Sequence, residues 1–156
     1  MAESLARPLV IGIGQPWRGD DAAGLAALDG LEAPGADVVA HHGEGLGLLA
    51  LWEGRALVVL IDAAACDSPA GTLARFDGVL PAESRARSSS HAFGVVEAVE
   101  TARALGRLPG RLIVHTVAGA CWDLGAPLSP PVAAALPALR AAVRRDLAEP
   151  GAPPSP

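Results

Sequence analysis

Three residues far apart in the chain, Asp21, Asp62 and His91, carry the side chains from which a grip on a divalent ion could be built. Two carboxylates and one imidazole make a mixed oxygen and nitrogen set. Such a set suits a borderline ion such as nickel or zinc and leaves coordination positions open for a substrate group. Each residue also has a plainer reading. Asp21 could stabilise a helix N-terminus through the dipole, Asp62 could cap a loop, and His91 could be an ordinary surface or capping residue.

The order of elements decides whether the three can meet. Leu9 to Ile13 is an apolar, β-branched run ending in Gly-rich turn residues, the pattern of a strand buried on both faces. Asp20 and Asp21 precede an Ala- and Leu-rich stretch, Ala22 to Leu31, that predicts a helix with acids where the dipole favours them. Asp37 to Ala40 predicts a short strand, and Gly45 to Trp52 a helix closed by Gly54. Leu57 to Ile61 is the strongest buried-strand signal, with Asp62 at its carboxyl end. Gly71 to Phe76 gives a weaker strand, and the polar, mixed-charge stretch from Pro81 to Ser90 predicts a mobile loop. His91 to Leu105 has helical spacing with Ser90 as N-cap, Leu112 to Val117 is another buried strand, and Pro131 to Leu147 a closing helix. Strands alternating with helices imply right-handed βαβ units. The expected fold is therefore α/β, a three-layer α/β/α sandwich on a mainly parallel sheet of about five strands. In such a sheet ligands bind beyond the carboxyl ends of the strands. A 2-1-3 strand order would put Asp21 and Asp62 on one rim.

Composition removes other chemistries. The chain has 156 residues, enough for one domain, which we place at 1–148 with a disordered tail of Pro and Gly at 149–156. All 12 basic residues are Arg, so a P-loop lysine or a Schiff base is excluded, and with no Tyr there is no phenolic acid. A net charge of -5 argues against nucleic acid as a partner. Cys66 and Cys121 form no C-x-x-C pair and read as small buried hydrophobes in a reducing compartment. No basic-then-apolar leader and no long apolar run is visible, so a cytoplasmic protein without membrane insertion is expected. Gly12-Ile13-Gly14 follows a strand, but the third glycine of a dinucleotide loop would fall at Trp17. No G-x-S-x-G string occurs. His41, His42 and Glu44 could face the same cleft, although a structural role is the simpler reading. Trp17 could form an apolar wall for a bound peptide or pack on the adjacent helix.

Four strings, in order, resemble the nickel-iron hydrogenase maturation peptidases. Gly12 to Asp21 looks like that family's opening G-x-G-N-x-x-x-x-D-D/E segment. The strand ending in Asp62-Ala63 is similar to its I-D-A element, and Ser90-His91 followed by Gly94 to its S-H segment. Leu128-Ser129-Pro130-Pro131-Val132 resembles its L-S-P-x-V segment. The resemblance implies an endopeptidase, aspartic-type by family convention, that removes a C-terminal extension from a hydrogenase large-subunit precursor after nickel insertion. It implies Asp21, Asp62 and His91 as contacts to nickel carried by the substrate protein, with no organic cofactor. Asp21 and Asp62 are the implied catalytic acids, either acting as general base toward water or leaving activation to the metal. The expected partner is the precursor, met by a monomer. The alternative is a non-catalytic, metal-sensing assembly module of the same fold. The chain departs from the pattern at Gln15, where Asn is usual, at Ala22, where Gly is common, and at His41-His42-Gly43-Glu44, in place of a D-G-G-T-like segment.

Overall fold

The computed structural model describes residues 7–42, 44–78 and 95–148. Its elements run β1 (Leu9–Ile13), a 3-10 helix (Gly19–Ala22), α1 (Ala23–Leu28), β2 (Asp37–His41), α2 (Gly45–Trp52), β3 (Leu57–Ala64), β4 (Leu73–Asp77), α3 (Val95–Leu105), β5 (Arg111–Ala118) and α4 (Pro130–Ala148). The five strands form one sheet in the order β2-β1-β3-β5-β4, parallel except for the edge pair β4 and β5. The α/β sandwich on a mainly parallel sheet stands, with the 2-1-3 neighbourhood intact.

Side chains of a strand alternate between faces, and the central strands β1, β3 and β5 are apolar on both, so each of them feeds two cores. Leu9, Ile11, Ile13, Val58, Leu60, Leu112 and Val114 meet α2 and α3 on one side. Val10, Val59, Ile61, Ile113 and Val117 meet α1 and α4 on the other. Asp62 continues the Val58 and Leu60 side of the alternation.

Two elements differ from expectation. β3 runs on past Ile61 to Ala64, because β5 stays in register beside it as far as Ala64 and Ala118. Asp62 thus lies inside the strand's last turn of pleat. The first helix is shorter and begins as a 3-10 turn that holds Asp20 and Asp21. At six residues α1 is too short to be stable alone, and Arg140 of α4 helps by donating to its last carbonyls at Ala26 and Ala27. His91, Ser90, the polar loop at 81–90 and the tail at 149–156 lie outside the described residues.

The far edge is tied by ions. Buried His115 of β5 shares a 2.5 Å contact with Asp146 of α4, and Arg75 of β4 donates to the same carboxylate. Burial pushes the His115 pKa down against the opposing pull of Asp146, so the imidazole is held neutral at physiological pH. The contact therefore fastens the final helix to the sheet rather than supplying a charge.

Glycine sets how closely α1 approaches the sheet. A Cβ on Gly24 would stand 2.2 Å from the Ile13 carbonyl oxygen and 2.4 Å from that of Ile61. In an isolated helix Ala would be favoured over Gly by about 1 kcal/mol. Here the sign reverses, since neither strand carbonyl can move without breaking the sheet. Gly24→Ala is expected to cost about 1–3 kcal/mol, or a fall in Tm of roughly 3–10 °C for a chain of this size. A scanning-calorimetry midpoint equal to or above that of the unaltered protein would disprove this account of the close approach.

Candidate active site

The carboxyl ends of β1 and β3 are adjacent, with Gly12 opposite Ile61 in the register. The chain leaving β1 turns back over this edge as the 3-10 helix. Contact is tight: a Cβ on Gly14 would lie 2.0 Å from the Asp21 carbonyl oxygen. The glycines that suggested a nucleotide loop thus serve instead to let two backbone segments touch. Asp21 is buried at 1% exposure, and its negative charge is felt by Asp62. The two carboxylates expected to share a rim are therefore neighbours, brought together from adjacent strands.

Asp62 is enclosed by protein on most sides, yet part of its surface remains open. Asp62 is thus reachable from solvent at the end of β3. Its pKa is raised to about 8, first by burial and then by the charge of Asp21, against a hydrogen bond from the Ala63 N–H at 2.9 Å. Near neutral pH Asp62 consequently holds a proton that a free carboxylate would have released. A cation reaching Asp62 would displace that proton. Among the described residues no three His, Cys, Asp or Glu side chains cluster closely enough to hold a metal ion. His91, the expected third member, lies outside them; α3, the helix that follows it in sequence, covers the sheet face to which Asp62 belongs.

Asp20, which sequence reasoning passed over, is fully buried and accepts four hydrogen bonds. The Ala120 and Cys121 N–H groups donate at 2.7 and 3.1 Å, and Ser129 donates its N–H at 2.7 Å and its hydroxyl at 2.8 Å. Burial raises the pKa of Asp20, but these donors outweigh it and the net shift is downward. Two backbone bonds reinforce the clamp, Asp20 N–H to the Cys121 carbonyl at 2.7 Å and Gly19 N–H to that of Ala126 at 3.0 Å. The loop after β5 is thereby sewn to the segment that carries Asp21. Only the doubled acid Asp20-Asp21 could have hinted at this, since the partners lie about a hundred residues away.

Glu44 and the His41 backbone have structural partners. Glu44 caps α2, accepting from the N–H groups of Leu46 and Gly47 at 3.1 Å each. His41 ends β2, and its carbonyl accepts from the Gly14 N–H. Cys66 is exposed and Cys121 partly so, correcting their reading as buried hydrophobes; both sit on loops beyond strand ends, where little packs over them.

The hydrogenase maturation protease family model matches residues 41–145. The chain belongs to that family. Solved structures agree on the fold. A hydrogenase maturating endopeptidase HybD from E. coli is 22% identical, with a TM-score of 0.77 over 93% of this chain and 94% of that one. The [NiFe] hydrogenase maturation protease HybD from Thermococcus kodakarensis is 23% identical, with a TM-score of 0.69 over 89% and 97%. The HycI protease of the same organism is 19% identical, with a TM-score of 0.66 over 94% and 97%. No curated protein sequence matches the chain. For a maturation protease, a pair of coupled carboxylates at the sheet rim is the feature to interpret. No helix among the described residues is long and apolar enough to cross a membrane.

Proposed function

We propose that this maturation protease removes the C-terminal extension of a nickel-iron hydrogenase large-subunit precursor once nickel is in place. Asp21, Asp62 and His91 would grip the nickel that the precursor carries. The observation supporting this reading is the Asp21 and Asp62 pair, in which Asp62 is held protonated near pH 7 first by burial and then by its neighbour's charge. Such a pair has a standing deficit of positive charge, and an incoming divalent ion supplies it. An ion held by Asp62 would remove the basicity that its raised pKa implies, so activation of water would fall to the metal or to an acid that the ion leaves free. Recognition and cutting would then draw on the same site.

The test uses two preparations of one precursor, nickel-loaded and nickel-free. The loaded form is expected to lose its C-terminal peptide, seen as a mass change, and the nickel-free form to remain intact. Equal cleavage of both would refute metal recognition. Tight binding of the loaded precursor with no cleavage would select the non-catalytic assembly module instead.

A further inference from the structure

Of the chain's three Trp residues, Trp52 is fully buried and Trp122 partly so, whereas Trp17 is 79% exposed. Leu124 is 75% exposed. Large apolar side chains left open on adjoining segments are uncommon on a soluble surface and mark contact sites. These two emerge from backbone segments joined by a hydrogen bond, from the Gly125 N–H to the Trp17 carbonyl at 2.5 Å. The same two segments are sewn together by Asp20. Trp17 also has φ +67°, the left-handed region that a bulky L-residue rarely adopts. Such strain costs on the order of 1–3 kcal/mol and persists where the surroundings enforce it.

We infer that Trp17 and Leu124 form a docking platform for an apolar stretch of the substrate polypeptide beside the bond to be cut. This rests on the reading of Asp21 and Asp62 as the cutting site. Trp17 is on the segment that leads directly into Asp21, and Asp20 clamps the Leu124 loop to that same segment. A protease must hold an extended chain there. A Trp held on a fixed backbone loses little freedom on binding and gives much contact area, the property of interface anchors. Self-association is a poorer fit: two side chains bury roughly 300–400 Å², about half of what one partner contributes to a stable dimer.

The experiment measures steady-state cleavage of a nickel-loaded large-subunit precursor by Trp17→Ala, Leu124→Ala, Trp17→Phe and Trp17→Gly proteins. Both Ala variants should raise KM roughly tenfold, about 1.4 kcal/mol, with kcat within about twofold and Tm unchanged. Trp17→Phe should retain most of the affinity. Trp17→Gly separates docking from folding, because it relieves the left-handed backbone; it should raise Tm by roughly 2 °C while weakening KM like the Ala variant. Asp62→Asn, assayed in parallel, reports on the cutting site alone, so the two readings fail separately. KM values within twofold of the unaltered protein for both Ala variants would overturn the platform. So would a dimer in sedimentation that Trp17→Ala converts to monomer, which would assign the surface to self-association.

Discussion

Asp62→Asn is expected to leave a folded protein that cleaves precursor roughly 10²–10⁴-fold more slowly and resists unfolding better than the unaltered protein in alkaline buffer. Both effects come from one property, a carboxyl at the end of β3 whose pKa stands at about 8 in the fold and near its ordinary value of 3.8 when unfolded. Between those values the folded state holds a proton that the unfolded state has released. Stability contributed by this group is therefore present in full below pH 3.8 and declines as pH rises to about 8. Asn cannot ionise, yet its side-chain oxygen still accepts from the Ala63 N–H. The variant thus escapes the decline. Each pKa unit corresponds to about 1.4 kcal/mol, so the gap between variant and unaltered protein should widen by a few kcal/mol from pH 4 to pH 8. Urea titrations of both proteins across that range measure it. A gap that stays flat with pH would mean Asp62 is ionised throughout, and the argument for a cation-seeking pair would go with it. Loss of activity without this signature would point to a disturbed fold rather than a missing carboxyl. A group that destabilises the apo protein at working pH is what a recognition site for a metal-bearing partner needs, since binding relieves the cost.

How far the chain itself disclosed this arrangement depended on the range of the interactions. β1 and the first five residues of β3 are apolar at every position, LVIGI and LVVLI, and such runs leave little freedom but a doubly covered sheet. A 2-1-3 order, one of those that right-handed βαβ units allow, makes them neighbours, so the approach of Asp21 to Asp62 could be framed in advance as a condition on strand order. The extension of β3 to Ala64 was not, because it depends on pairing with β5, about fifty residues onward. The roles of Gly14 and Gly24 were hidden for the same reason: a glycine needed for close approach looks in sequence like one needed for a turn or a phosphate loop. The exposed, left-handed Trp17 was unreadable from its neighbours, since its carbonyl is fixed by Gly125. Asp20 was the most costly omission. Its position before a helix made a dipole explanation sufficient, and sufficiency stopped the search for a partner.

The Asp20 clamp leads to a large expected stability effect. Asp20→Ala would strand the Ala120, Cys121 and Ser129 N–H groups and the Ser129 hydroxyl, all of which now donate to one carboxylate. An unsatisfied buried donor costs about 1–3 kcal/mol, and removing one side of a buried charged network typically costs about 3–5 kcal/mol. We therefore place the loss at roughly 3–4 kcal/mol, a fall in Tm on the order of 10 °C. Asp20→Asn should lose less, because its carbonyl oxygen still accepts while its NH₂ opposes the remaining donors. The pH dependence identifies the cause. The folded pKa of Asp20 lies below 3.8, so its contribution is present above that pH and vanishes as pH falls through the folded value. The deficit of Asp20→Asn against the unaltered protein should accordingly shrink in acid, opposite in sense to the widening at alkaline pH expected for Asp62→Asn. Urea midpoints for Asp20→Asn that trail by the same margin at pH 3 and pH 7 would show that the charge contributes nothing to the clamp. If the clamp holds as described, both Asp20 variants should also cut precursor poorly at temperatures where they remain folded, since the segment bearing Asp21 is held against the sheet rim through Asp20.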